Sequence, residues 1–413
     1  MVEEVEGKSQ ASYSGSYQTE AGIELKVPYA FFGSIYDDEE RQAMLDALEG
    51  ETLTMGPIVT AFQDEFAAYC GVKHAFATSN CTTGLHLATQ ILGIKPGDEV
   101  IVPPLTFIAT SQPVLKQGGT PVFADVDPRT FNMDPKSVAE KITPRTRAIY
   151  LVHYGGQMCD MDPIVELARE HGLAVVEDCA HTPGAEYKGR KAGSFGDFGS
   201  FSFHSLKNMT TLGEGGMLTT SSDQYAEEIP ILRCMGLKEY QNQADYWLPY
   251  HYDVVDVRGQ IGNNFRMNEV QAAVGRVQLK KLDWLNQKRI EIGRYLNAGL
   301  ADVEGIATTY EDPNCKHVYH LYSLLFDEEV VGASKDDFIR VLYREEGVQP
   351  IMHYLPSYFF TVYRERGYEP GLCPIAEKVF GQLLNLPMHP RLTREDCDIM
   401  IEAVKNAVKK LRR

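Results

Sequence analysis

The stretch GDFGSFSFHSLKNMTTLGEGGML, residues 196–218, carries a lysine between two strand-like runs. The first run, Gly199–Phe203, contains Phe201 and Phe203, and the second is Met217–Thr220. Between them Lys207 is followed by the glycine-rich turn Gly213-Glu214-Gly215-Gly216. In a parallel sheet, strand ends are where ligands are placed. A lysine there, beside aromatic residues, is expected to be partly desolvated. Desolvation disfavours the ammonium form, and a neutral amine is what Schiff-base chemistry needs. Taken alone, the simpler reading is a solvent-exposed loop lysine.

Working outward, short β-branched runs alternate with amphipathic stretches from about residue 27 to 275. The strand candidates are Ala75–Thr78, Glu99–Val102, Val122–Ala124, Ala148–Val152, Ala174–Glu177, Gly199–Phe203 and Met217–Thr220. Helical patterns lie between several of them, among them Leu85–Leu92, Pro135–Ile142 and Pro163–Glu170. Such alternation predicts an α/β fold, a mostly parallel seven-stranded sheet covered by helices on both faces. The Gly213–Gly216 turn predicts that one strand runs antiparallel. Residues 1–26 are rich in Ser, Gln, Tyr and Glu without apolar period and read as a polar mobile arm. Beyond 275 the character changes. A long amphipathic helix over Arg276–Leu300, a strand near Tyr319–Phe326, a helix near Lys335–Glu345 and a basic terminal helix from Arg394 predict a smaller α+β domain, 276–413.

Composition narrows the class. At roughly 150 residues per domain, 413 residues predict two or three domains. The formal charge of −17 argues against nucleic acid or anionic membrane as partner, since both need a basic field. A small anionic ligand needs only a local positive site. The N-terminus, MVEEVEGKSQ, lacks the pattern of a signal peptide, and the most apolar stretches are too short to span a bilayer. Eight scattered cysteines with no C-x-x-C and no zinc spacing read as reduced thiols of a cytoplasmic enzyme without a metal.

Two further segments carry chemistry. In Leu173–His181 an apolar run ends in the acidic pair Glu177-Asp178. A carboxylate at a strand end can hold a heterocyclic nitrogen protonated; it can equally be a helix cap or a surface acid. In TSNCTTGLHL, residues 78–87, small hydroxyl residues sit between a strand and a helix. Free N–H groups at a helix N-terminus suit a phosphate, although plain capping by Ser or Thr is commoner. Together the segments supply a phosphate cradle, an anion for a ring nitrogen and an amine for an aldehyde. Pyridoxal 5′-phosphate (PLP) presents those three groups on one small molecule.

From about Val27 to its end the chain resembles the PLP-dependent sugar aminotransferases of the DegT/DnrJ/EryC/StrS family, within PLP fold type I. The resemblance is carried by TSNCTTGLHLA, IVPPLTFIAT, VHYGGQMCDMDPI, VEDCAHTPGAEYKG, GDFGSFSFHSLKN with GEGGM, and GNNFRMNEVQAAVG. It implies that Lys207 joins the cofactor as a Schiff base and that Asp178 pairs with its ring nitrogen. It places His181 against the ring and its 3′-oxygen, and Phe107 on the other face. Thr82, the backbone of Thr83 and Ser202 fall at the phosphate cradle. Asn264 matches an asparagine that reaches the phosphate from the partner subunit of a homodimer. His320 and Tyr322 form an H-x-Y block that the family places near the substrate. Two positions depart from the pattern: Cys81 stands where many members have glycine, and Asn263 where a tyrosine is frequent. The arm has no family counterpart.

The resemblance implies transfer of an amino group from an amino acid, glutamate or glutamine, to a keto-sugar, usually nucleotide-linked, with the cofactor alternating between PLP and its amine form, PMP. Lys238, Arg258 and Arg266 are candidate cations for a diphosphate. The alternatives are a keto-sugar dehydratase, an aminocyclitol aminotransferase and a non-catalytic regulator of the same fold. The dehydratases replace the lysine by histidine, whereas position 207 is lysine, with His204 nearby. A regulator predicts loss of Lys207 or Asp178, and both are present. G-x-G-x-x-G after a strand, G-x-S-x-G and H-E-x-x-H are all missing, which disfavours dehydrogenase, hydrolase and zinc-enzyme readings.

Overall fold

In a computed structural model of the chain, residues 17–18, 22–239 and 252–412 are described. Seven strands form the main sheet: β1 (His74–Thr78), β2 (Glu99–Val102), β3 (Thr120–Phe123), β4 (Thr146–Val152), β5 (Ala174–Asp178), β6 (Phe198–Ser202) and β7 (Gly216–Thr220). Their spatial order is β1-β7-β6-β5-β4-β2-β3. The pairs β6–β5, β5–β4, β4–β2 and β2–β3 are parallel. Only β7 runs against its neighbours, β6 and β1. The glycine-rich turn is the reason: Phe203 N–H donates to Gly215 O and Ser205 N–H to Gly213 O, which continues a hairpin ladder around the Lys207 loop. Strands β2, β6 and β7 are buried at every position, as expected when helices cover both faces and the apolar run need not alternate.

The helices that matter for the site are α1 (Pro57–Cys70), α2 (Cys81–Ile91), α3 (Met161–His171), α4 (Asp223–Arg233) and α5 (Glu269–Leu300). On one face of the sheet Phe62 and Phe66 of α1 pack with Phe201, Phe203, Met217 and Leu282. On the other face Leu85, Leu87 and Ile91 of α2 pack with Val100, Val102, Phe198 and Leu218. Full burial of such a side chain contributes roughly 1.5–3 kcal/mol.

A third core lies toward the C-terminus. Strands β8 (Tyr322–Phe326) and β9 (Leu383–Leu386) pair antiparallel. Helices α6 (Lys335–Val341) and α7 (Arg394–Leu411) pack there through Phe338, Met400 and Val404. Helix α5 is longer than the periodicity of 276–300 suggested, beginning at Glu269 under an Asn268–Gln271 capping box. It contributes Leu279 and Leu282 to the first core and Leu296 and Leu300 to the third, so position 275 falls inside a continuous helix. Most of the 1–26 arm lies outside the described residues. Its end is docked: Glu24–Leu25 pairs with Tyr17–Gln18, and Leu25 is buried. Among the described residues no helix is long and apolar enough to cross a membrane.

Candidate active site

The site forms where β5 and β6 end and α2 begins. Asn80 caps α2: its side chain accepts the Thr83 N–H at 3.0 Å. The first turn of a helix leaves N–H groups without intrahelical acceptors, and the dipole makes that end positive. Cys81 and Thr82 stand at those positions. Thr83 does not: its N–H is directed to Asn80 and its hydroxyl to Asn80 O at 2.7 Å. The Thr83 N–H, expected at a phosphate cradle, is directed in this structure to the Asn80 cap. Gly216 is required here, since a Cβ would overlap the backbone of Asn80 and Cys81.

Lys207 sits in the loop joining β6 to β7, with its N–H on His204 O at 2.9 Å. Burial pushes its amine down to about 8, against the opposing pull of the Asp178 carboxylate. Asp178 ends β5 and is 4% exposed. Its Oδ2 accepts the Thr110 hydroxyl at 2.7 Å, and its Oδ1 accepts Ala180 N–H at 3.1 Å, with Cys81 Sγ at 3.7 Å. Glu177, one residue earlier, points to the opposite face of the strand, as the pleat demands. It accepts N–H groups from Gly193, Phe195 and Gly196 at 2.7–3.0 Å and faces His153 Nε2 at 3.0 Å. His153 Nδ1 accepts from Cys159 N–H, so Nε2 carries the proton and donates to Glu177. Of the acidic pair, Asp178 faces the lysine and Glu177 braces the loop that precedes β6.

Two histidines stack beside Lys207. The rings of His181 and His320 are 4.4 Å apart at 24°. Burial and the Lys207 charge hold His181 well below the ordinary histidine range. Burial, His181 and Lys207 do the same to His320. Their tautomers follow from their partners. His181 Nδ1 accepts Gly155 N–H at 3.3 Å, so its Nε2 donates to the Tyr354 hydroxyl at 3.0 Å. Asn208 donates both amide hydrogens, to Asn286 Oδ1 and Val318 O, so its oxygen must accept from His320 Nδ1 at 3.1 Å. His320 Nε2 is then the bare nitrogen.

The remaining candidates divide. Ser202, at the end of β6, is buried and accepts His204 N–H at 3.4 Å. Phe107 follows β2 and is 58% exposed, with its ring open to a planar ligand. Tyr322 does not join the cluster: its hydroxyl meets Asn297 at 2.9 Å inside the third core. Tyr319 has φ of +46°, which breaks the extended backbone ahead of β8, so the histidine and tyrosine of the H-x-Y block part company. Asn264 accepts Arg266 Nε at 2.9 Å. Arg258 is committed to Glu228 and Ile91 O, while Lys238 lies on the short strand Leu237–Glu239. Residue patterns alone missed Thr110, Asn208 and Tyr354. Thr110 lies within the IVPPLTFIAT block and Asn208 directly follows Lys207, but their partners are distant in sequence.

The sequence profile described as the DegT/DnrJ/EryC1/StrS aminotransferase family matches residues 34–405. The chain is 40% identical to the spore coat polysaccharide biosynthesis protein SpsC of Bacillus subtilis, over 93% of this chain and 97% of that protein. It is 39% identical to GDP-perosamine synthase of Caulobacter vibrioides, covering 89% and 95% respectively. Among solved structures, DesV of S. venezuelae in complex with a ketimine intermediate superposes with a TM-score of 0.81 at 34% identity, covering 90% of this chain and 95% of that one. The aminotransferase of Psychrobacter cryohalolentis gives 0.86 at 32%, covering 94% and 100%. The chain, with its lysine, carboxylate and helix N-terminus in one place, belongs to the DegT/DnrJ/EryC1/StrS aminotransferase family.

Proposed function

We propose that this aminotransferase uses PLP and moves the amino group of an amino acid, glutamate or glutamine, to a keto-sugar carried on a nucleotide. The observation that carries the reading is the Lys207 amine, held at about 8 by burial and set opposite the Asp178 carboxylate. The residues fit the cofactor. An amine near neutrality can add to an aldehyde, an acceptor-only carboxylate suits a protonated ring nitrogen, and the start of α2 suits a phosphate. The sugar assignment draws support from relatives such as GDP-perosamine synthase.

When bound, PLP supplies an electron sink for the carbon that carries the amino group. The Lys207 amine would hold the cofactor, and as a free amine it would take up and release the α-proton as general base. Asp178 keeps the ring nitrogen protonated. The N–H groups of Cys81 and Thr82, with Ser202, hold the phosphate, and Asn264 of the partner subunit completes that cradle in a homodimer. Phe107 and His181 would be the residues against the cofactor ring. His320 offers its bare Nε2 to a hydroxyl of the incoming substrate. Donor and acceptor use one site in turn, so kinetics are ping-pong.

Purified protein should be yellow, and borohydride should fix PLP on Lys207. PMP-loaded enzyme should lose its PMP absorbance with some member of a panel of keto-sugar nucleotides and keto-cyclitols. A colourless protein unaffected by added PLP, or full activity in Lys207→Ala, overturns the reading. A response to keto-cyclitols alone overturns the sugar assignment.

A further inference from the structure

The two oxygens of Asp178 are held differently. Oδ2 takes the Thr110 hydroxyl at 2.7 Å, and the Thr110 and Thr106 hydroxyls are 2.6 Å apart. Thr110 Oγ1 also lies 3.2 Å from Phe107 O. A hydroxyl has one hydrogen to give, and an ionised carboxylate can only accept. Asp178 has no hydrogen to give in return, so the Thr110 hydrogen goes to it, and the Thr106 hydroxyl, which can donate, gives its own to Thr110. On the other side Cys81 Sγ reaches Asp178 Oδ1 at 3.7 Å, Ser200 O at 3.4 Å and Ser200 Oγ at 3.3 Å. Ser200 spends its own hydrogen on Cys81 O at 3.0 Å, so all three neighbours of the sulfur are acceptors and the thiol must donate. Burial raises the Cys81 thiol well above its ordinary range, which keeps that hydrogen in place and keeps a second negative charge away from Asp178. Thr106, Thr110, Cys81 and Ser200 are all buried.

We propose that Thr110 and Cys81 are positioning residues that clamp Asp178 from both sides and aim its carboxylate at the cofactor ring. Thr110 is the stronger arm, through a short hydrogen bond to Oδ2. Cys81 is the weaker arm: its single thiol hydrogen is shared among three acceptors, of which Asp178 Oδ1 at 3.7 Å is the farthest, and its volume fills the space between α2 and β6. The clamp places a residue that departs from the family pattern in contact with the group that tunes the cofactor. It rests on the reading that Asp178 faces the ring nitrogen.

The test measures PLP dissociation constants and the visible spectrum of the bound cofactor, with thermal melting of each apo-protein as the folding control. Thr110→Val should weaken PLP binding about tenfold or more, as expected for a lost hydrogen bond to a charged group. Thr110→Ser should restore it to within about twofold, because the hydroxyl is kept. Cys81→Ala should weaken it about two- to threefold, since a thiol is a weak donor. In an Asp178→Asn background both changes should have a smaller effect, because the neutral amide oxygen accepts a weaker bond than the carboxylate does. Thr110→Val binding PLP like the parent, or losing as much affinity in the Asp178→Asn background, overturns the clamp. If Asp178→Asn itself leaves affinity and spectrum unchanged, the assignment of Asp178 fails, and the clamp with it.

Discussion

Lys207 is held in a form that costs stability. Burial favours the neutral amine, while the nearby Asp178 carboxylate favours the ammonium, and burial wins. Only the neutral amine adds to an aldehyde, so the rate at which apo-protein takes up PLP should rise with pH and level off above about 8. Rapid-mixing absorbance from pH 6 to 9.5 reads this directly, and a rate flat over that range contradicts it. Asp178→Asn removes the charge that favours the ammonium, so the midpoint should move to lower pH. The same shift sets a stability effect. The unfolded chain binds a proton at Lys207 up to its ordinary range, near 10.5, and the folded chain only up to about 8. Below 8 the cost is fully present; it is relieved as pH rises from 8 to 10.5. Lys207→Met should therefore make the apo-protein more stable at neutral pH, by at most about 3 kcal/mol at 1.36 kcal/mol per unit of pKa. Denaturant titration checks this, and a less stable Lys207→Met protein contradicts it.

At the scale of elements, the meeting of β7 with the start of α2 decides whether the site exists. Gly216 lets the two backbones touch, and Asn80 closes the first turn of α2. Gly216→Ala should push β7 away from Asn80, lowering stability by about 1–3 kcal/mol as an overpacked position does and weakening PLP more than Asn80→Ala. Asn80→Ala should cost about 1 kcal/mol, the usual worth of such a cap. Calorimetry of the apo-proteins beside PLP titration separates the two. The seven strands and the turn that reverses β7 were legible in the sequence, because each depends on local alternation and on glycine. The start of α5 was not. Its first turns, from Glu269, pack against α1, and the Glu269 carboxylate accepts N–H groups of Gly56, Ile58 and Val59 more than two hundred residues away.

At the scale of the whole molecule, α5 ties the large sheet to the C-terminal core, and Arg289 lies at its middle. The guanidinium is fully buried and donates to Tyr319 O, Met388 O and Gly33 O. These three carbonyls belong to three separate segments, one of them that of His320. Burial pushes its pKa down to about 9. Arg289→Leu should leave those carbonyls without donors, at roughly 1–3 kcal/mol each, and should unfasten the His320 segment before the sheet. Hydrogen exchange should show faster opening at residues 317–321 than in β4 and β5; equal protection there would contradict the tie.

The sequence by itself determined the chemical inventory and the alternation: a lysine after a strand, a carboxylate at a strand end, hydroxyls at a helix start, and a mostly parallel sheet to carry them. These are local properties of spacing, charge and backbone preference. Only the tertiary structure decided which of them meet. It set Asp178 between Thr110 and Cys81, 68 and 97 residues away, stacked His181 on His320, gave the Thr83 N–H to a cap and turned Tyr322 into another core. Those contacts depend on strand order and on crossovers, which bring distant segments together without leaving a mark in any local pattern.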